Sequence, residues 1–141
     1  MEPLKAFLDA NILFSAAVGG PVFDSLWALA DAERLTLSTS RTCVIEAERN
    51  LQRKRPDAAQ RFEVRMRKVH VVPDVTHNVG RFDLPAKDAP IYATAVALGA
   101  NIFLTGDIRH FGALMKRSDL PVTVRTVRSF LLAGPNAEVA E

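Results

Sequence analysis

Short apolar runs alternate with stretches of helical period along almost the whole sequence, and that alternation limits the fold more than any other feature. Residues 4–8 (L-K-A-F-L), 35–38, 69–72, 102–104 and 122–127 read as strands, with β-branched residues prominent in the third and last. Between them, residues 11–18, 22–32, 88–98 and 108–117 carry apolar side chains at helical spacing. Gly19-Gly20-Pro21 separates the first two helices, and Gly99 stops the helix over 88–98. Ser38, Thr39 and Ser40 offer N-cap oxygens for a helix running to about residue 55. Pro56 opens a further helix to about residue 68, and a short one covers 128–132. Strand–helix alternation predicts a parallel sheet covered on both faces. With right-handed crossovers this is a three-layer α/β/α sandwich.

The chain has 141 residues, enough for one domain over 1–132, with 133–141 expected as a flexible tail. Hydrophobic residues make up 48% of it, so a folded core is expected rather than disorder. Cys43 is the single cysteine, which excludes an intrachain disulfide and fits a reducing, cytoplasmic setting. No signal peptide is expected from the first residues, and no apolar run approaches the roughly 18 residues of a membrane span.

The chemistry is in the acids. In open parallel sheets, ligands bind outside the carboxyl ends of the strands. Asp9 ends the first predicted strand and Asp107 follows the fourth. Asp88 opens a helix whose apolar positions Ile91 and Ala95 lie on its own side, so its carboxylate is expected to point inward. In the helix after Ser40, Glu46 lies about 60° from the buried position Cys43, and Glu48 about 140°. Glu46 is therefore the candidate and Glu48 the solvent-facing residue. Converging carboxylates repel, at roughly 3 kcal/mol per pair 5 Å apart in a medium of effective dielectric near 20. A cation among them removes that cost, and hard oxygen donors select Mg²⁺ or Mn²⁺. Singly, Asp9, Asp88 and Asp107 could each be no more than a helix cap. The case for a site rests on the four together.

Four segments carry a family resemblance. F-L-D-A-N-I-L-F-S (residues 7–15), T-C-V-I-E-A-E-R-N-L (42–51), K-D-A-P-I-Y-A-T-A (87–95) and F-L-T-G-D-I-R-H-F (103–111) resemble, in order, the motifs of the PIN domain. The resemblance implies a parallel sheet of four or five strands in the order 3-2-1-4-5. It implies metal-dependent endonucleolytic cleavage of RNA, with Asp9, Glu46, Asp88 and Asp107 as catalytic metal-site acids. Asn11 and Thr105 match the polar residues that orient a carboxylate or a metal-bound water. It also implies a homodimer and, for the toxin branch of VapC type that the wording resembles most, a small antitoxin protein as partner. The second acid is the position sequence constrains least, and Glu48 and Glu33 stand as alternatives to Glu46.

Residues 49–68 hold eight basic side chains against two acidic, a local charge of +6 in a chain of net +2. Arg49, Arg53, Lys54 and Arg55 are thus candidates for contact with RNA phosphates, together with Arg109 and His110 beside Asp107. His110 reads more readily as a helix surface or packing residue. His70 and His77 lack ligand-spaced partners and read as structural; Trp27 and Cys43 read as core. Two competing classes remain at this stage. An aspartyl-nucleophile phosphohydrolase also starts from an Asp after the first strand, but would place a second Asp where Asn11 stands. A non-catalytic scaffold of the same fold would bind RNA or protein and would have no need of the four acids.

Overall fold

The structure is a computed structural model that describes residues 2–76 and 83–133. His77, Gly80 and the expected tail beyond residue 133 lie outside the described residues. The strands are β1 (Leu4–Leu8), β2 (Leu35–Ser40), β3 (Val69–Val72), β4 (Ile102–Leu104) and β5 (Thr123–Arg125). The helices are α1 (Ala10–Val18), α2 (Pro21–Asp31), α3 (Arg41–Lys54), α4 (Ala59–Met66), α5 (Ala89–Leu98), α6 (Ile108–Met115) and α7 (Val127–Ala133). A 3₁₀ turn over Pro56–Ala58 leads into α4.

All strand pairs are parallel, in the order β3-β2-β1-β4-β5. This is the three-layer arrangement expected. The central strand β1 is buried on both faces, with Ala6, Phe7 and Leu8 fully covered, which is why it reads as a nearly continuous apolar run. From β1 the chain steps outward to β2 and β3, then returns past β1 to β4 and β5. With right-handed crossovers, α1 to α4 cover one face and α5 and α6 the other. On that second face Phe7 stacks on Phe103 at 5.5 Å between ring centroids, and Phe111 and Tyr92 close around Phe103. The sheet order reverses between β1 and β4, so the binding crevice of such a fold opens there.

Several elements depart from local pattern. β2 continues through Thr39 and Ser40 because both pair with β3, opposite Val71 and Val72. The Thr39 hydroxyl donates to the Leu8 carbonyl at 2.7 Å, which leaves Ser40 to cap α3 by accepting from Cys43 N. Replacing that cap should cost about 1 kcal/mol, so Ser40→Ala is expected to lower the urea midpoint with the m-value unchanged. β5 is shorter than expected because the Thr126 hydroxyl accepts from Ser129 N and starts α7 at Val127. α5 is buried well beyond one stripe, at Ala89, Ile91, Tyr92, Ala93, Thr94 and Ala95. A helix apolar on all sides needs cover on all sides. Gly19, at φ +103°, breaks α1 from α2, and a Cβ there would meet the Arg61 guanidinium at 2.7 Å. Among the described residues, no single helix is long and apolar enough to cross a membrane.

Candidate metal centre

Register alone brings Asp9 and Asp107 to one rim. Leu8 pairs with Leu104 across β1 and β4, and Asp9 N donates to the Leu104 carbonyl at 3.0 Å. One residue further along each strand, Asp9 meets Thr105. The Thr105 hydroxyl donates to Asp9 Oδ2 at 2.7 Å, and Thr105 Oγ1 itself accepts from Asp107 N at 3.0 Å. Asn11 completes the brace. Its Nδ2 donates to Asp9 Oδ2 at 3.2 Å and to Thr105 Oγ1 at 3.3 Å, while its Oδ1 accepts from Gly106 N at 2.7 Å. Thr105 and Asn11, expected as supporting residues, thus lock the turn after β4 onto the end of β1.

Each carboxylate is used differently. Asp9 is 5% exposed and accepts on both oxygens, Oδ1 taking Ala10 N at 2.9 Å. Asp107 caps α6 by accepting from His110 N at 3.1 Å through Oδ1, which leaves Oδ2 free of that duty. Asp88 stands at the N-terminus of α5 but makes no capping bond there. It is only 6% exposed, and its Oδ2 is buried without a hydrogen-bond partner. An orphaned buried carboxylate oxygen is expensive, so this atom calls for a cation.

The acids sense one another. Burial pushes the Asp9 carboxyl up to about 6; bonds from Thr105 and Ala10 oppose that, and the charges of Glu46 and Asp88 add to it. Burial also raises Asp88, against His110 and Lys87 and with the charge of Asp107. Glu46, Asp9, Asp88 and Asp107 therefore form one electrostatic chain along the rim. Cys43, whose Sγ lies 3.9 Å from Asp9 Oδ1, is core as expected, and burial with Asp9 nearby pushes its thiol up to about 12. Glu46 and Glu48 are both exposed on α3. Glu48 turns into a groove between α3 and α4 with Val44, Leu51, Phe62 and Met66, and Glu33 sits in the turn before β2, at the amino end of the sheet. Neither alternative acid shares the rim with Asp9.

His110 is in an unexpected place. Its Nδ1 lies 2.9 Å from Oδ2 of both Asp88 and Asp107. Neither approach has hydrogen-bond geometry, and Nδ1, like Asp88 Oδ2, is buried without a hydrogen-bond partner. The donor set, hard oxygens with two orphaned buried atoms, fits a divalent cation.

A family model described as the PIN domain matches residues 5–109, a span that includes all four acids. The chain belongs to the PIN-domain family. Solved structures share this PIN domain's fold at low identity. A chain of VapBC2 from Rickettsia felis, solved bound to a DNA fragment from its promoter, is 14% identical with a TM-score of 0.64, covering 87% of this chain and 98% of that one. PAE2754 from Pyrobaculum aerophilum is 18% identical with a TM-score of 0.62, covering 92% of this chain and 88% of that one. No curated protein matches the sequence.

The basic candidates around this PIN domain's rim divide by position. Arg53, Lys54 and Arg55 lie at the carboxyl end of α3, two turns or roughly 10 Å beyond Glu46 along the axis and away from the rim. Arg55 pairs with Asp57, Arg65 with Asp24 and over the Trp27 ring, and Lys68 with Asp31. The local +6 is thus partly neutralised by acids on other elements. Arg49 is exposed on α3 nearer Glu46, and Arg109 is exposed beside Asp107. Two cations not anticipated also stand at the carboxyl end of the sheet. Arg41 opens α3 at the carboxyl end of β2, and Arg128 lines a cleft of about 590 Å³ with Asn11, Phe23, Thr105 and Asp107. Nothing in local sequence marks Arg128, which reaches the cleft from a helix far along the chain.

Proposed function

We propose that the chain is a Mg²⁺- or Mn²⁺-dependent endoribonuclease, the toxin of a toxin–antitoxin pair. The observation that carries this reading is the buried Asp88 oxygen, without a hydrogen-bond partner, on a rim shared with Asp9, Asp107 and Glu46. Asp88, Asp107, Glu46 and Asp9 would hold the ion. When bound, such an ion polarises the phosphodiester and lowers the pKa of an attacking water. The protein's part is to hold its own groups still. Thr105 and Asn11 fix the Asp9 carboxylate and the turn carrying Asp107, so little reorganisation is left to the reaction. Arg41, Arg109 and Arg128 offer phosphate contacts on either side of the acids, with Phe23 an apolar wall beside Arg128. Asn11 spends its amide on Thr105 and Gly106, so it fills no acid's role, and the phosphohydrolase reading loses its second group.

The antitoxin rests on the fold shared with VapBC2, a two-component system. The apolar groove between α3 and α4, about 460 Å³ and sharing no residue with the acid rim, suits a helical segment of such a partner. The deciding experiment is cleavage of labelled single-stranded RNA with Mg²⁺, with Mn²⁺ and with EDTA. Cleavage should require the divalent ion. Arg128→Gln should raise KM roughly fivefold with kcat little changed, as expected for a lost phosphate contact. RNA left intact with either ion would defeat the reading.

A further inference from the structure

Beyond the four acids, the cluster at the start of α6 holds a nitrogen. Among the described residues, Asp88, Asp107 and His110 form the one group of three or more potential ligands whose donor atoms lie close enough to share an ion, all within 4.8 Å of one another. The His110 Nδ1 to carboxylate distances are both 2.9 Å. Adjacent ligands of an octahedral ion with bonds near 2.1 Å are separated by about 3 Å, so the spacing is that of neighbouring ligands around one centre. The distances would also suit hydrogen bonds, but neither contact is made as one, and both His110 Nδ1 and the deeply buried Asp88 Oδ2 are left without a hydrogen-bond partner. Asp9, by contrast, already has both oxygens engaged by Ala10, Asn11 and Thr105. The ring is set in place by the helix cap, since Asp107 Oδ1 accepts from His110 N and brings the residue three positions on beside its own carboxylate. His110 lies one residue past the segment matched by the family model.

We infer that His110 is a third donor, through its imidazole nitrogen, to the ion held by Asp88 and Asp107, and that this nitrogen tilts the site toward Mn²⁺ over Mg²⁺. The inference rests on the metal-dependent reading above. Mg²⁺ takes oxygen almost exclusively, whereas a later first-row ion gains from an imidazole. The ratio of Mn²⁺ to Mg²⁺ affinity should fall about tenfold when the nitrogen is removed, the lower end of what disturbing a metal's surroundings costs.

The test uses the full chain with one equivalent of Mn²⁺. Pulsed electron spin resonance should show nitrogen coupling in the wild type, absent in His110→Gln and in His110→Asp. Calorimetry should show the Mn²⁺/Mg²⁺ affinity ratio falling in both variants, with His110→Asp keeping overall affinity because it supplies an oxygen. Stoichiometric Mn²⁺ binding without nitrogen coupling in the wild type would overturn the inference and leave the metal-dependent reading standing. Failure of the wild type to bind Mn²⁺ at millimolar levels would overturn both.

Discussion

Asp107→Asn is expected to lose RNA cleavage by about 10³-fold or more at saturating Mn²⁺, equivalent to some 4 kcal/mol of transition-state stabilisation. The substitution isolates charge from fold. Asparagine caps a helix as well as aspartate does, and its Oδ1 can still accept from His110 N as Asp107 does now. What disappears is the negative Oδ2 facing His110 and Asp88. A neutral amide oxygen is a weaker ligand, and its nitrogen partner cannot ligate at all. The loss should appear in kcat, with the circular dichroism spectrum unchanged and the melting temperature at least as high as in the wild type. A variant that keeps its spectrum and retains activity within tenfold would remove Asp107, and with it the shared-ion site, from the chemistry.

How much of this could be read from residues alone depends on the distance over which each feature is decided. β1, β3 and β4 are legible to the residue because their runs are mostly apolar or β-branched, broken only by Lys5 and His70, and are bounded by proline or polar residues. The end of β2 is not. Thr39 and Ser40 favour a cap by local preference, and only the ladder with β3 keeps them in the strand. Asp9 and Asp107 were readable because strand ends in a parallel sheet face one side; that β1 and β4 are neighbours is a tertiary fact. The approach of His110 to both acids is not legible, because half of its environment, Asp88, is delivered by a different helix. The basic run over 49–68 shows the same limit of counting along the chain. Charge counting does not see that Asp24 and Asp31 reach across from α2 to Arg65 and Lys68, nor that Arg53 to Arg55 lie at the end of α3 remote from the acids. Arg128 is not legible for a similar reason: its place in the cleft depends wholly on what it packs beside.

Asp9→Asn should stabilise the metal-free protein at pH 8 and fail to do so at pH 4. Burial lifts the Asp9 carboxyl from 3.8 to about 6, so its ionised form is favoured less in the native state than in the unfolded chain. A raised carboxyl contributes fully to stability below pH 4, and the contribution fades as pH climbs through 6. Two units correspond to about 3 kcal/mol lost by the wild type over that window. The asparagine variant carries no such charge. It keeps the acceptor for Ala10 N but turns an amide nitrogen toward Thr105 and Asn11, giving up two hydrogen bonds at roughly 1 kcal/mol each. The net gain at pH 8 is then about 1 kcal/mol, or some 3 °C in melting temperature for a domain of this size. At pH 4, where Asp9 is protonated in the native state, only the hydrogen-bond loss remains and the variant should melt below the wild type by about 6 °C. Mn²⁺ reverses the order at pH 8. At a hundredfold excess over its dissociation constant an ion adds about 2.7 kcal/mol to the protein that binds it, and the wild type should gain the larger share. A variant less stable than the wild type at pH 8 without metal would mean that the Asp9 hydrogen bonds outweigh the cost of burying its charge.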